Sequence, residues 1–247
     1  MHRSLPFVLC SVFLVSCVSL PGPPATNFFS EPKLLHFAEA AASGDTSTLD
    51  RLIKSGVNVN ATGRGDMTAT LWALLHQNKK GVGYLLAHGA NPNVQLTETF
   101  DDLVIEGNSV ISFAAMHEDS WYLKEVLKHS GDPNLVNATR SHTPIFSSIF
   151  SRRPENARIL IAAGANLNWQ DRDGETALDA AAVACFYDLF YAMLEAEADP
   201  TIKNRWGSTV LSTIKTIRTD PKSSQWQWRQ KVIDRMRAKG IDVDNGR

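Results

Sequence analysis

The sequence predicts an all-α fold, a solenoid of about six helix-turn-helix units joined by short finger loops. Three observations predict it: a Gly-centred turn recurs about every 33 residues, an apolar pair precedes most copies, and a Thr or Ser follows at a fixed distance. With 247 residues, of which 43% are hydrophobic and 21% charged, the chain has the composition of a folded protein and not of a disordered one.

The turn is the first repeated element. Its clear copies occupy residues 55–60, 88–93, 130–134 and 163–168, and its weaker copies occupy residues 197–200 and 239–244. Gly56, Gly89 and Gly164 stand where a helix must end, and glycine readily takes the left-handed conformation that ends one. The apolar pairs before the turns are Leu52-Ile53, Leu85-Leu86, Val126-Leu127, Leu160-Ile161 and Met193-Leu194.

The start of the first helix in each unit is the second repeated element. The start residues are Thr68, Ser109, Thr143, Thr176 and Thr209, and with Leu35 in the same slot their spacings are 33, 41, 34, 33 and 33 residues. Thr and Ser hydroxyls cap the free N–H groups of a first turn, and Pro144 is tolerated there because that N–H needs no helical partner. Each unit leaves an apolar face that only its neighbour covers, so we expect the units to stack.

Together these elements resemble the ankyrin repeat, with its T-P-L-H-x-A-A, L-L-x-x-G-A-x-x-N and D-x-x-G-x-T pieces. The resemblance is clearest from Asn168 to Leu178 and covers about residues 33–244. It implies an ankyrin-repeat domain with units at about 33–61, 62–94, 95–135, 136–169, 170–202 and 203–244. The family's His is absent from every T-P-L-H piece, which puts its hydrogen bonds between loops in doubt and leaves the fold prediction intact.

Two insertions depart from the repeat period. About eight residues are added within 95–108, and about ten are added around 216–226. Long loops in compact folds are often functional, so both segments are candidates for a role in binding.

The first residues have the pattern of a secretory leader. A short basic start precedes an apolar stretch at residues 5–15 that is too short to span a bilayer. Residues 14–17, Leu-Val-Ser-Cys, resemble a bacterial lipobox, in which the Cys thiol receives the lipid. We therefore predict a lipoprotein signal peptide at residues 1–16, then a lipidated Cys17 and a Pro-rich extended tether at 17–32. Cleavage by the ordinary signal peptidase, or retention as an anchor, is the alternative.

The same resemblance predicts a location. Val18 follows Cys17 without an Asp, which by resemblance to Gram-negative lipoproteins implies the periplasmic side of the outer membrane. Cys10 would leave with the leader, so Cys185 would remain as the unmodified thiol. We expect no intramolecular disulfide and a Cys185 side chain buried in the core.

The charges are segregated along the chain. The net charge of −1 argues against a protein that coats nucleic acid. Residues 93–119 hold six acids and no Lys or Arg, whereas residues 203–239 hold ten basic residues and two acids. An acidic finger would steer a basic partner, although a loop kept soluble by its charge has the same composition. The basic end predicts a capping helix with an apolar inner face and a basic outer face that could rest near anionic headgroups.

No pattern of a catalytic or cofactor site is present. The sequence has no HExxH, no paired CxxC, no Gly-rich phosphate loop after a strand and no G-x-S-x-G. We predict a chain that is not an enzyme and has no catalytic, cofactor-binding or metal site. His117-Glu118-Asp119 could suggest a metal or acid–base site, but we favour solvated residues at the end of a first helix.

The ankyrin resemblance implies a binding groove lined by finger tips and by the exposed ends of the first helices. The finger positions are Arg64, Gly65, Met67, Ile105, Glu106, Asn108, Thr139, Arg140, His142, Arg172, Asp173, Glu175, Arg205, Trp206 and Ser208. The helix ends are Leu75, His76, Met116, His117, Phe150, Ser151, Val183 and Ala184, and the acidic insertion adds Glu98, Phe100, Asp101 and Asp102. Leu75, Met116 and Phe150 would form an apolar strip suited to a protein interface, with ordinary interhelical packing as the alternative.

These predictions describe a protein-binding module that is monomeric when unbound, binds no nucleic acid and needs no cofactor. Its resemblance to ankyrin-type lipoproteins that protect against secreted lipases implies an immunity protein. Such a protein would bind and neutralise a toxic effector acting in the periplasm, for example a type VI secreted phospholipase. A general envelope scaffold or stress-response ankyrin protein is the alternative.

Overall fold

The computed structural model describes residues 24–100, 104–217 and 219–243. Within these ranges the chain forms twelve α-helices and no β-strand, which confirms the all-α prediction. The helices are α1 Pro32–Ser43, α2 Thr46–Lys54, α3 Ala69–Leu75, α4 Lys79–Ala87, α5 Val110–Met116, α6 Trp121–Lys128, α7 Pro144–Phe150, α8 Pro154–Ala162, α9 Ala177–Val183, α10 Tyr187–Glu195, α11 Val210–Thr216 and α12 Ser224–Ala238. None of these twelve helices is both long and apolar enough to cross a bilayer.

The helices lie in two layers. The odd-numbered helices pack against one another in chain order from α1 to α11, and the even-numbered helices do the same from α2 to α12. We name them the first-helix layer and the second-helix layer. Each helix from α1 to α9 in the first layer also packs against the even-numbered helix that follows it. The core therefore runs along the whole stack between the two layers, as the repeat pattern predicts.

The Thr and Ser residues predicted to start the first helices lie at those starts. Thr68 Oγ1 accepts a hydrogen bond from the N–H of Leu71 at 3.1 Å, and Ser109 caps α5 in the same way. At α9 the N–H and hydroxyl of Thr176 both donate to Asp179 Oδ2 at 2.9 Å. These bonds satisfy helix-end groups that burial would otherwise leave unpaired.

In four units the chain reverses between the two helices at one residue with left-handed backbone geometry. Gly44, Gln77, Arg152 and Cys185 occupy this position, with φ of 73°, 56°, 58° and 59°. The expectation that Cys185 is buried in the core is therefore wrong. Its side chain is half-buried, because the reversal places it at the edge between α9 and α10.

Asn side chains join successive turns. The Nδ2 group of Asn60 donates to the carbonyl of Gly89 at 3.0 Å, and its Oδ1 accepts from the N–H of Asn91 at 2.7 Å. The same pair of bonds links Asn93 to Ser130 and Asp132, and Asn134 to Gly164 and Asn166. Neighbouring units are thus tied together by hydrogen bonds from Asn side chains to backbone groups, although the family's His is absent.

The segment before α1 folds against the first units. Phe28 and Phe29 are 5% and 1% exposed, and the ring centroid of Phe28 lies 5.2 Å from that of Trp72. The predicted extended tether is therefore wrong for residues 25–29, because packing these two rings removes apolar surface that an extended chain would leave in water. The leader and Cys17 lie outside the described residues.

The last helix, α12, is held in place by its basic residues. Arg235 pairs with a carboxylate of α10 at 2.6 Å, Lys239 donates to a carbonyl of α10 at 3.0 Å, and Arg229 donates to a carbonyl of α11 at 2.7 Å. Val232 and Met236 form the buried inner face. The basic outer face is smaller than the charge count predicts, because these three cations point towards the protein.

Candidate protein-binding face

The last residues of α3, α5, α7, α9 and α11 follow one another along the first-helix layer. Since these five helices have seven residues each and pack in order, their ends form a row of Leu75, Met116, Phe150, Val183 and Thr216. We name it the helix-end row. Phe150 and Val183 are 53% and 54% exposed, whereas Leu75 and Met116 are half-buried against the core. Phe150 is therefore the most exposed member of the predicted apolar strip, and Val183 at the next helix end adds a second exposed apolar side chain.

The finger loop before α11 carries a third exposed apolar side chain. Trp206 is 60% exposed, and the Arg205 guanidinium lies 4.5 Å from the centre of its ring. Arg205 also pairs with Asp173 of the preceding finger at 2.7 Å. Phe150, Val183 and Trp206 are the exposed large hydrophobic residues of the described ranges, and all three occupy binding positions implied by the ankyrin resemblance.

The other finger cations are engaged to different degrees. Arg172 donates to the carbonyl of Ala138 at 3.0 Å and so ties its finger to the preceding one. Arg140, at the tip of that preceding finger, is exposed. The fingers that carry Arg140 and Arg172 are thus joined to each other. Arg140 extends from one of them into solvent, as Trp206 does from the finger that follows.

His142 connects the fingers to the helix-end row. Its ring centroid lies 5.2 Å from those of both Phe146 and Phe150, and its Nε2 lies 3.6 Å from Asp171 Oδ2. Burial lowers the pKa of His142, and the Asp171 carboxylate partly opposes this effect. At neutral pH the ring is therefore mainly an uncharged aromatic surface beside Phe150.

Asp171, Glu175 and Asp179 interact with one another, and Asp171 lies beside the His142 ring. Asp171 accepts the N–H groups of Asp173 and Glu175 at 2.9 Å, and Asp179 holds the start of α9. Burial raises the pKa of Glu175, and the carboxylates of Asp179, Asp171 and Asp173 add to the rise. Among the described residues, the Glu175 carboxylate has no ion-pair or hydrogen-bond partner. The sequence signal for this group is the four-residue spacing of residues 171, 175 and 179. That spacing does not reveal that burial and repulsion by the neighbouring carboxylates raise the pKa of Glu175.

The acidic insertion folds back onto the finger at residues 62–68. Across its own hairpin the N–H groups of Leu96 and Phe100 donate to carbonyls at 2.8 Å, and the N–H of Thr97 donates to the carbonyl of Gly65 at 3.1 Å. Leu96 and Val104 are 2% and 7% exposed. The insertion therefore has a buried apolar side, whereas Glu106 is exposed, so the alternative of a loop kept soluble by its charge stays open.

The acids of the insertion have different surroundings. Glu98 pairs with Arg64 at 2.8 Å, so this charge is partly offset within the protein. Glu106 is exposed, and its N–H donates to the hydroxyl of Thr99 at 3.0 Å. Asp101 and Asp102 lie outside the described residues.

Two predicted contact positions near the first finger differ in accessibility. Met67 is fully buried, so the prediction that it contacts a partner is wrong. The finger closes through a hydrogen bond from the N–H of Gly63 to the Met67 carbonyl at 2.8 Å, and the side chain enters the core. His76 is exposed beside Leu75, with its Nδ1 2.9 Å from the carbonyl of Trp72.

His117 is not the solvated side chain that we expected. It is half-buried, its Nδ1 accepts from the N–H of Asp119 at 2.9 Å, and its ring centroid lies 4.4 Å from that of Tyr122. Burial lowers its pKa, with Asp119 acting in the opposite direction. In the described part of the chain, no group of three or more His, Cys, Asp or Glu side chains is placed to hold a metal ion.

Comparisons with known proteins agree with this architecture. Residues 111–204 match the family model for ankyrin repeats, in three copies. The chain is similar to Protein PhlB of Serratia liquefaciens, with 36% identity over 155 residues that cover 60% of this chain and 61% of PhlB. It is also similar to an L-asparaginase of Dirofilaria immitis, with 28% identity over 68% of this chain and 27% of that protein.

A further similarity is to the phosphocholine transferase AnkX of Legionella pneumophila, with 27% identity over 60% of this chain and 15% of AnkX. The chain thus spans less than two thirds of the length of each of these three relatives. Residues 111–204 match ankyrin repeats, and the stacked helix pairs of the described residues agree with an ankyrin-repeat solenoid.

Proposed function

We propose that this protein binds and neutralises a toxic effector at the periplasmic side of a Gram-negative envelope. The observation that carries the binding role is the exposure of Phe150, Val183 and Trp206 at positions that ankyrin repeats use for contact. Large apolar side chains are enriched at the centres of protein interfaces, where their removal from water contributes most of the binding free energy. Ankyrin repeats are typically non-catalytic scaffolds that bind other proteins, which supports binding as the mode of action.

We infer that the chain carries no reaction of its own. Two relatives bear enzyme names, but this chain matches only 27% of the L-asparaginase and 15% of the phosphocholine transferase. The part they share with this chain is the part expected to contain repeats. A catalytic function is therefore not carried over from either name.

The envelope location is proposed from the lipobox-like motif at residues 14–17 and the leader before it. A lipid on Cys17 would hold the solenoid at the membrane surface. There the solenoid would encounter an effector that attacks phospholipid. The neutralising role is proposed from this combination of a lipoprotein leader with a binding scaffold. The partner class it favours is a phospholipase delivered by a type VI secretion system.

A competition assay tests the neutralising role. Cells that lack the gene are mixed with wild-type sister cells, and the survival of the deletion strain is counted with and without a plasmid that supplies the full chain. We expect reduced survival that the plasmid restores. Normal survival of the deletion strain would contradict the immunity role, and capture of several resident envelope proteins by the full chain would then favour the envelope scaffold.

A further inference from the structure

The exposed apolar residues Phe150 and Val183 border a group of carboxylates. Asp179 and Val183 are four residues apart on one face of α9, and Glu175 lies in the finger loop just before that helix. On the neighbouring α7, Phe150 contacts His142, whose Nε2 is 3.6 Å from Asp171. Asp171 in turn accepts the N–H of Glu175 at 2.9 Å, so a series of contacts runs from Phe150 through His142 to the finger that carries Glu175.

Three of the cations around this surface are engaged within the protein, whereas Arg140 at the neighbouring fingertip extends into solvent. Arg205 pairs with Asp173 at 2.7 Å, and Arg172 donates to a backbone carbonyl at 3.0 Å. Arg152 lies at the reversal after α7, with its guanidinium 5.0 Å from the centre of the Phe186 ring. These contacts leave Glu175 as a half-buried carboxylate without an ion-pair partner in the described part of the chain.

We propose that this surface receives a partner segment in which a Lys or Arg side chain stands beside an apolar one. The apolar side chain would pack on Phe150 and Val183, and the cation would bind Glu175. This inference rests on the proposed binding function and adds the chemistry of the partner.

Charge complementarity favours this occupant over an acidic or purely polar one. Glu175 lies close enough to Asp171, Asp173 and Asp179 for their carboxylates to raise its pKa in addition to the effect of burial. A cation beside Glu175 offsets this repulsion, and a half-buried carboxylate attracts a cation more strongly than one in bulk water does. An acidic partner residue would add to the repulsion, so the same surface also selects against it.

Selection from a library of random 12-residue peptides displayed on phage tests the inference with the purified full chain as target. We expect enriched peptides to carry Lys or Arg next to an apolar residue. The most enriched peptide is then synthesised with a fluorophore, and its dissociation constant is measured by fluorescence anisotropy. Glu175→Gln and Phe150→Ala should each weaken binding about tenfold or more, which corresponds to about 1.4 kcal/mol.

Two further variants make the measurement specific. Glu155→Gln removes the same charge from an exposed residue of α8 in the second-helix layer, and it should change the affinity less than twofold. The Glu175→Lys variant should no longer bind the selected peptide. It should instead bind a version of that peptide in which Glu replaces the basic residue. The inference is overturned if the enriched peptides lack Lys and Arg, or if Glu175→Gln leaves their affinity unchanged. A selection that returns no peptide dependent on Glu175 would overturn it as well. The survival assay tests the neutralising function separately, so a failure here removes the partner chemistry alone.

Discussion

The ring of Phe100 lies directly against Gly65, so the acidic insertion is fitted to the finger of the preceding unit. A methyl group at residue 65 would come within 2.5 Å of the Cζ atom of Phe100, and the φ of Gly65 is 62°, which favours glycine. The Phe100 ring also contacts the Phe28 ring, with 4.7 Å between ring centroids. Phe100 therefore joins the insertion to both the first finger and the segment before α1.

Removal of this ring should destabilise the protein. We expect Phe100→Ala to lower the free energy of unfolding by about 1–3 kcal/mol, because the ring is partly buried and its loss leaves space between three segments. Chemical denaturation monitored by circular dichroism measures the change. Phe150→Ala is the matched control, since Phe150 is 53% exposed and should cost less. Equal losses from the two variants would show that the Phe100 contact contributes little.

The Asn bridges between units predict a second stability effect. Asn134→Ala removes one bond to the carbonyl of Gly164 and one from the N–H of Asn166, so it should cost about 1–2 kcal/mol. In the same denaturation assay, Asn58→Ala serves as the control because Asn58 accepts a bond within its own turn, from the N–H of Asn60. The account of the bridges fails if Asn134→Ala costs no more than Asn58→Ala.

Glu175→Gln should stabilise the protein at neutral pH. A carboxyl group whose pKa is raised in the folded state contributes stability below its unfolded pKa, ordinarily 4.5, and loses it as pH rises through the folded value. At pH 7 the charged Glu175 therefore opposes folding, first through burial and then through its acidic neighbours. Differential scanning calorimetry should show a Tm increase on the order of 1 °C at pH 7 and no increase at pH 4.

Glu155→Gln is the control for this calorimetric comparison. Glu155 stands in the first turn of α8, where a negative charge favours the helix, so its removal should leave the Tm unchanged or slightly lower. A Tm decrease of Glu175→Gln at pH 7 would contradict the electrostatic account. We expect Glu175→Gln to raise the Tm and to weaken peptide binding. These opposite effects would separate the cost of the Glu175 charge to folding from its contribution to binding.

The predicted lipidation of Cys17 would add a covalent mass to that residue. Mass spectrometry of the protein purified from membranes should find acyl groups on a mature chain that begins at Cys17. The variant Cys17→Ser should lack this mass and leave the membrane fraction. An unmodified Cys17 in the membrane-purified protein would exclude the lipoprotein assignment.

The sequence predicts the fold because each unit repeats the same local signals. The Thr68 and Thr176 helix starts, and the Asn turns, depend on neighbours within one or two units, so a 33-residue period is enough to place them. The burial of Phe28 was missed because it depends on Trp72 and Phe100, which lie far along the chain. The insertion was difficult for the same reason, since its acids suggested solvent while Leu96, Phe100 and Val104 supply an inner face.

The position of the candidate binding face was predictable from the sequence, whereas the charge state of its residues was less predictable. Phe150 and Trp206 stand at positions that the resemblance marks as variable, and their exposure is consistent with a contact surface. The state of Glu175 could not be inferred from the chain, because it arises from burial and from three carboxylates brought together by the finger and by α9. Cys185 was misplaced because a left-handed reversal is more often made by glycine than by cysteine.

The central claim is that the face containing Phe150, Val183 and Trp206 binds the effector. It is tested most directly by supplying the deletion strain with the triple variant Phe150→Ala, Val183→Ala and Trp206→Ala and counting its survival beside wild-type sister cells. We predict that this variant keeps the circular dichroism spectrum of the parent and fails to protect, while Glu155→Gln protects fully. Full protection by the triple variant at the same protein level would contradict the claim.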